Sequence, residues 1–355
     1  MVIAVVAGCV FLSVFILDSA QDLFGLNQPD KIIEITIPEK ATNGDIAQIL
    51  ADKGIITKTL TFLLYSSLKS EEGDFQSGDY VFNANMGYDQ LILAMKNKTV
   101  EKKVVTLTFI EGRTAREIAD QLEKSQVCNA DEFMDYLQTA ELDYEFVDRL
   151  PENSLRFNRL EGYIFPDTYD FYIGENVKSV AAKFLSNFQR KITDEMEGKM
   201  MNLNLTIDEM VTLASIIQKE AGNPAEMEMV SSVFHNRLRY SEMFPNLQSD
   251  VTIYYVDNFI KKQINIANQP MYDAYNTYVC EGLPVGPICN PGLDAMEAAL
   301  NPGESDYYFF VTDVNGKYYY AKTANEHYAN VDIALAQKSE EGGDGEVHGI
   351  DVQGD

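Results

Sequence analysis

The chain has no tryptophan, three histidines and four cysteines among its 355 residues. The cysteines show no C-x-x-C spacing and the histidines form no H-x-x-x-H pair, so a sequence-local zinc site is not expected. The Walker loop and the G-x-S-x-G and G-x-G-x-x-G motifs are also missing. The sequence therefore lacks the usual local signals of phosphoryl transfer, classical esterase chemistry and dinucleotide redox.

Basic residues are scarce relative to acidic ones. Lys and Arg number 28 against 55 Asp and Glu, which gives a formal net charge of −27. Because a protein that grips phosphate backbones needs clustered Lys and Arg, we expect no nucleic-acid partner.

Charge is absent from one long stretch, residues 1–17, which read MVIAVVAGCVFLSVFIL. As a helix this stretch measures about 25 Å, near the lower limit for crossing a bilayer. We therefore expect a single membrane anchor at 1–17, with the rest of the chain on one side. The alternatives are a buried core helix and a lipoprotein-like box ending at Cys9. No basic residue precedes the stretch, so the positive-inside rule gives no orientation.

The region after the anchor contains a repeat with a period of 72 residues. Residues 34–50 (EITIPEKATNGDIAQIL) align with residues 106–122 (TLTFIEGRTAREIADQL). Each copy predicts a strand, a turn, a threonine N-cap and an amphipathic helix. We expect two small related α+β units, about 32–100 and 103–150, with a further strand near Gly78–Phe82.

A third unit is predicted from 151 to 337, followed by a disordered acidic tail at 338–355 that is rich in glycine. The third unit contains an aromatic-rich segment around Tyr163, whose rings could either bind sugar or fill the core. Near its end, two tyrosine-rich runs flank Asn315-Gly316, which predicts a β-hairpin.

One helix of the third unit carries a candidate acid. The stretch from Thr206 to Gly222 opens with a T-x-x-E capping box and ends at a glycine. At about 100° per residue, Glu220 lies about 60° from Ile217 on the apolar stripe, whereas Lys219 lies on the opposite face. A carboxyl group at the end of a buried stripe loses hydration, which raises its pKa towards that of a general acid. The alternative is a frayed helix end that exposes Glu220 to solvent.

Three other positions offer polar groups. If the stretch around Gln248 and Asp250 is extended, both side chains point the same way and could bind sugar hydroxyl or acetamido groups. Asn276 precedes a stiff loop rich in Gly and Pro, of the kind that can hold groups against a ligand. His327 stands alone, and a lone histidine is more often a hydrogen-bonded structural residue than a catalyst.

Five motifs, in this order and spacing, resemble the endolytic murein transglycosylases of the YceG-like (MltG) family. They are LEGYIFPDTYDF, LASIIQKEAG, VFHNRL followed by LQSD, AYNTY followed by GLPVGPICNPG, and TANEH. The resemblance covers about 155–335, and the repeated units extend it towards residue 34. It implies an α+β protein with an N-terminal membrane helix, two small LysM-like modules over 32–150 and a mixed α+β YceG-like catalytic domain over 151–337. It also implies an extracytoplasmic catalytic domain at the cell membrane.

The resemblance assigns the catalytic acid to Glu220. The family often has E-K-E where this chain has Gln218-Lys219-Glu220, so the first position cannot be the acid. Val251 and Val285 stand where the family often has proline, which removes no chemical group. The substrate-binding residues that we expect are Glu161, Tyr163, Gln248, Asp250, Tyr275, Asn276 and His327, with no metal ligand.

The reaction implied by the resemblance needs one carboxyl group and neither metal nor organic cofactor. Glu220 would protonate the glycosidic oxygen of a peptidoglycan strand and then accept the proton of the muramic C6 hydroxyl, leaving a 1,6-anhydro end. We expect this side chain at the floor of a groove that holds sugar. The expected partners are glycan strands, the membrane and, by family implication, penicillin-binding proteins of the wall-synthesis machinery. Two other readings are a catalytically silent wall-binding scaffold and a conventional glycosidase that uses Asp250 as a second acid.

Overall fold

The structure, a computed structural model, describes residues 19–26, 29, 31–69, 75–96, 104–264, 266–341 and 348–349. The predicted anchor at 1–17 lies outside these residues. Within them, no helix combines the length and the apolar character needed to span a bilayer. The chain divides into two compact units, Met1–Lys103 and Val104–Asp355.

The smaller unit contains the first copy of the repeat. Its elements are β1 (Ile32–Ile37), α1 (Asn43–Asp52), α2 (Thr59–Lys69), β2 (Gly78–Asn83) and α3 (Tyr88–Lys96). The Thr42 side chain accepts from the backbone of Asp45, which returns the bond to Thr42 in a capping box. β1 pairs antiparallel with β2, so the strand predicted near 78–82 is confirmed.

The second copy forms the same local structure within the larger unit. It consists of β3 (Val104–Thr108) and α4 (Ala115–Lys124), whose capping box joins Thr114 and Glu117. However, β3 pairs with β4 (Thr168–Tyr172), which lies beyond the predicted boundary at 150. The units divide after Lys103 because this pairing and a shared hydrophobic core join the second copy to the residues that follow.

The rest of the larger unit is mainly helical before its C-terminal hairpin. The helices, in chain order, are α5 (Ala130–Thr139), α6 (Glu145–Asp148), α7 (Val177–Lys191), α8 (Asp194–Leu203), α9 (Ile207–Glu220), α10 (Pro224–Arg239), α11 (Asp250–Tyr255), α12 (Lys261–Gln263), α13 (Gln269–Tyr275) and α14 (Leu293–Leu300). One π-helical turn, Val256–Ile260, joins α11 to α12.

The predicted hairpin is confirmed, and β5 (Phe309–Thr312) pairs antiparallel with β6 (Tyr318–Ala321). Gly316 in the turn has φ +77°, a conformation that favours glycine. The last helix, α15 (Ala324–Glu341), continues past the predicted end of the unit at 337. In the predicted disordered tail, β7 (His348–Gly349) pairs with β5, while 342–347 and 350–355 lie outside the described residues.

The aromatic-rich segment belongs to the core. Tyr163 is fully buried, and its ring stacks on Phe146 at 5.3 Å and meets Phe188 edge-on at 4.9 Å. Phe165 and Phe171 are also buried. Of the two readings of this segment, core packing is therefore the one that the structure supports, because aromatic rings bury large apolar areas.

Candidate active site

Helix α9 places Glu220 as predicted, at the end of a buried face. Thr206 and Glu209 form the capping box at its start, and Glu220 is its last residue. Glu220 is 8% exposed, and Lys219 faces solvent. The frayed, solvent-exposed alternative is therefore wrong.

The Glu220 carboxyl group receives a hydrogen bond from one hydroxyl. The Ser249 Oγ donates to Glu220 Oε1 at 2.5 Å. Burial raises the pKa of Glu220 to about 7, aided by the negative charge of Asp250, while the Ser249 hydrogen bond opposes the rise. Near neutral pH the group can therefore both give and take a proton, as a general acid that later acts as base must do.

Ser249, which is not among the site residues predicted from the sequence, is held by a buried cluster of hydroxyl groups. Its backbone N donates to Thr277 Oγ1 at 2.9 Å, and its carbonyl accepts from Thr252 Oγ1 at 2.8 Å. The two threonine hydroxyls lie 2.9 Å apart. Its position between Gln248 and Asp250, two residues predicted to bind substrate, is the sequence feature that could have indicated Ser249.

Gln248 and Asp250 do not form the extended pair that the sequence analysis considered. Gln248 has φ +54°, and Asp250 begins α11, so the backbone turns between them. The Gln248 side chain accepts from Arg237, and Asp250 accepts from the Tyr278 hydroxyl at 2.6 Å. The left-handed residue redirects the chain so that Ser249 faces Glu220.

Arg237 stabilises the turn at Gln248 and Ser249 through hydrogen bonds. It is 2% exposed, and its guanidinium donates to the carbonyls of Asn246 and Tyr308 at 3.0–3.2 Å. Burial lowers its pKa to about 10. The buried cation thus fixes the loop that carries Ser249.

Glu161 lies in the interior and accepts hydrogen bonds at both carboxyl oxygens. Ala115 N donates to Oε1 at 2.7 Å, Asn290 Nδ2 donates to Oε1 at 3.2 Å, and the Tyr255 hydroxyl donates to Oε2 at 3.1 Å. Asn158 Nδ2 also donates to Oε2, at 3.3 Å. Burial raises the pKa of Glu161 to about 7 against the effect of these donors.

Two predicted substrate-binding tyrosines are likewise interior. The Tyr163 hydroxyl donates to Asp208 Oδ1 at 2.6 Å, and the Tyr275 hydroxyl accepts from Phe157 N at 3.1 Å. Both side chains are fully buried. These positions hold the fold together, and they give no support to direct contact with a glycan.

The remaining predicted residues divide between a loop and the core. Asn276 is half-buried, and its Oδ1 accepts from Tyr278 N at 3.0 Å. His327 is 1% exposed, and its ring stacks on Phe309 with centroids 5.4 Å apart. Burial of His327 agrees with the structural role that a lone histidine usually has.

Neither of two cavities has Glu220 in its wall. One, of about 340 Å³, lies in the larger unit between the end of α7, the start of α8 and α14. The other, of about 210 Å³, is lined by Leu23, Tyr65 and neighbours in the smaller unit. The expectation of a groove beside Glu220 is thus not met by either cavity. Among the described residues, no three potential ligands cluster as a metal site, and the Cys280 and Cys289 thiols are free.

Comparison with known proteins places this site in a family context. The model of the YceG-like family matches residues 35–333. A protein of Streptococcus pneumoniae (strain D39) named endolytic murein transglycosylase is 28% identical over 349 residues, covering 92% of this chain and 62% of that protein. A protein of the same name from Bacillus subtilis (strain 168) is 29% identical over 315 residues, covering 87% and 86%.

A solved structure also shows similarity to the YceG-like family. The crystal structure of a YceG-like protein from Listeria monocytogenes is 29% identical, with a TM-score of 0.52 over 85% of this chain and 99% of that one. The chain spans 62% of the length of the pneumococcal relative.

Proposed function

Because the chain belongs to the YceG-like family, we propose that it is an endolytic peptidoglycan lytic transglycosylase with Glu220 as its catalytic acid. The observation that carries the proposal is a buried carboxyl group at the end of α9 whose pKa is raised to about 7. The names of the relatives support the substrate class. The bond cleaved is the one from muramic C1 to the 4-oxygen of N-acetylglucosamine.

In the first step, protonated Glu220 gives its proton to the glycosidic oxygen as the bond to C1 breaks. Burial keeps a useful fraction of the carboxyl groups protonated near pH 7. Ser249 holds Oε1, so Oε2 is the oxygen that we assign to proton transfer. Positioning of this kind reduces the entropic cost of reaching the transition state.

In the second step, the Glu220 carboxylate accepts the proton of the C6 hydroxyl as its oxygen bonds to C1. The proton count balances, since the carboxyl group returns to its starting form and no water is consumed. The Ser249 hydrogen bond stabilises the carboxylate between the two steps, because a donor favours the charged form. Gln248 and Asn276 stay candidates for orienting the sugar.

The wider organisation is also part of the proposal. We infer a single-pass anchor at 1–17 from its uncharged sequence, with the larger unit outside the cytoplasm. The two copies of the repeat would be LysM-like modules that hold glycan. Penicillin-binding proteins of the wall-synthesis machinery would be partners, as the family resemblance implies.

Product analysis on purified sacculi tests the assignment. Glu220→Gln keeps the size of the side chain but cannot donate a proton, so we expect release of 1,6-anhydro products to fall by about 10²–10⁴-fold. Glu228→Gln, the same change at an exposed position on α10, is the matched control and should retain full activity. A Glu220→Gln protein that works at the wild-type rate refutes the assignment.

A conventional glycosidase is the second candidate, because Asp250 acts electrostatically on Glu220. A hydrolase would use such a second acid to activate water. Mass spectrometry separates the two reactions, since hydrolysis leaves a reducing end that carries one additional water. Binding to sacculi without either product would instead indicate a silent scaffold.

A further inference from the structure

Three half-buried tyrosines lie next to one another at the C-terminal hairpin: Tyr318 and Tyr320 on β6, and Tyr307 two residues before β5. The rings of Tyr318 and Tyr320 are 6.0 Å apart at 15°, and Tyr307 stacks on Tyr320 at 5.6 Å and 27°. The row begins at the proposed active site, because the Tyr318 hydroxyl donates to the backbone carbonyl of Glu220 at 2.6 Å. No motif of the sequence analysis assigned these residues a role.

We propose that Tyr307, Tyr318 and Tyr320, the tyrosine row, form a subsite that binds the pyranose rings of a glycan strand next to Glu220. This inference deepens the proposed function and rests on it for the identity of the strand. The row would hold the sugars on one side of the cleaved bond.

Hydrogen bonds and packing fix the orientation of the row. The Tyr320 hydroxyl donates to Glu226 Oε2 at 2.6 Å, and Tyr318 is held through its own hydroxyl. Phe310, fully buried on the paired strand, supports both rings with centroids 6.3 Å away. Rings held in this way present a surface before the ligand arrives, which lowers the entropic cost of binding.

The surroundings favour a neutral, ring-shaped ligand. Residues 222–225, two to five positions after Glu220, are exposed and carry small or short side chains. The Glu226 carboxylate, in contact with Tyr320, would repel an anion, and Lys322, which interacts electrostatically with Tyr307, is paired with Asp306. The C–H faces of sugar rings are apolar and pack on apolar aromatic surface, part of which the half-buried rings of the row expose, while the sugar hydroxyls stay in water.

Because the chain has no tryptophan, a single introduced tryptophan can report ligand binding through its fluorescence. Tyr307→Trp keeps an aromatic ring at the end of the row and introduces the only indole of the chain. In the full chain carrying Glu220→Gln, which prevents turnover, we expect chitohexaose to change the intensity or shift the emission of this indole in a saturable way. Met201→Trp, at an 80% exposed position on α8, is the matched control and should not respond.

Removal of the ring tests the contribution to binding. We expect Tyr307→Ala to raise the KM for uncrosslinked glycan strands about tenfold with less change in kcat, and the conservative Tyr307→Phe, which keeps the ring, to recover most of the lost affinity. Tyr307 is chosen because Tyr320 and Tyr318 separate it from Glu220. Variants are compared only where their thermal midpoints match that of the wild type, so that a folding defect is not read as lost binding.

Two results together would refute the binding role of the tyrosine row: no change in the indole emission of Tyr307→Trp on adding chitohexaose, and an unchanged KM for Tyr307→Ala. They would leave the transglycosylase proposal intact. A reporter that responds to chitohexaose in a protein whose wild type releases no anhydro products supports the row and refutes the proposed reaction. A fall in kcat alone would show a structural role and would also overturn the inference.

Discussion

Two buried glutamates, Glu161 and Glu220, differ in what surrounds them rather than in their pKa. Glu161 is 0% and Glu220 8% exposed, and burial raises the pKa of each to about 7. Glu161 accepts from a backbone N–H at the start of α4, from two asparagine side chains and from a tyrosine hydroxyl. In the part of the chain that the structure describes, the Glu220 carboxyl group accepts from the Ser249 hydroxyl at Oε1.

The difference teaches that a raised pKa does not by itself indicate catalysis. Donors at both oxygens leave a carboxyl group little freedom to exchange protons with a substrate, and they tie together distant parts of the fold. A carboxyl group with one oxygen held and one available can transfer a proton in a defined direction. This contrast favours a structural role for Glu161 and supports the proposal that Glu220 is the catalytic acid.

The largest expected effect is a contrast in stability between two matched substitutions. Glu161→Ala leaves buried donors without their acceptor, and we expect it to lower the free energy of unfolding by roughly 3 kcal/mol or more. Glu220→Ala leaves one recorded donor, the Ser249 hydroxyl, without its acceptor, so we expect a loss of about 1 kcal/mol. Urea unfolding at pH 7, followed by circular dichroism, measures both. Equal losses of unfolding free energy in the two variants would contradict the different roles inferred for Glu161 and Glu220.

A smaller effect is expected on the pH dependence of activity. The Ser249 hydrogen bond lowers the pKa of Glu220, so Ser249→Ala should raise that pKa further. Activity needs the protonated acid and falls as pH rises through the pKa, so the alkaline limb should move to higher pH. We expect kcat at the optimum to drop about tenfold, because the carboxylate formed in the first step loses a donor.

Ser231→Ala is the matched control for this experiment. Ser231 is a fully buried serine on α10, and no hydrogen-bond partner of its hydroxyl is found in the described part of the chain. This variant should keep the wild-type pH profile. An alkaline limb that stays in place in Ser249→Ala would show that Ser249 does not act on Glu220.

The smallest effect is expected at the N-caps of α4 and α9, the two helices next to these carboxyl groups. Thr114 caps α4, whose Ala115 N binds Glu161, and Thr206 caps α9, which ends at Glu220. Replacing either threonine with alanine should cost about 1 kcal/mol of stability. Only Thr114→Ala should increase amide exchange at the backbone N–H that binds Glu161, and neither should shift the pH profile. Hydrogen exchange measured by mass spectrometry checks the expected difference at Ala115 N. A shifted pH profile of activity in Thr206→Ala would contradict the prediction.

Prediction from sequence worked where the signal was local. Both copies of the repeat, the T-x-x-E cap of α9 and the β5–β6 hairpin depend on residues a few positions apart. The predicted boundary at 150 does not coincide with the division into units, since β4, the partner of β3, follows it by 18 residues or more. Strand pairing across such a distance leaves no short-range pattern in the sequence.

The sequence by itself determined the helix that carries Glu220 and the apolar face on which it lies, because helical periodicity and capping act within one or two turns. The burial that raises the pKa of Glu220 depends on the elements that pack against this face. Only the tertiary structure decided that Ser249, 29 residues away, donates to that carboxyl group, and that Thr277 and Arg237 hold the loop in place. It also decided that Glu161 is fully satisfied and that three tyrosines lie next to one another at the C-terminal hairpin. These contacts join residues whose separation along the chain carries no periodic signal, so they exist only once the core has packed.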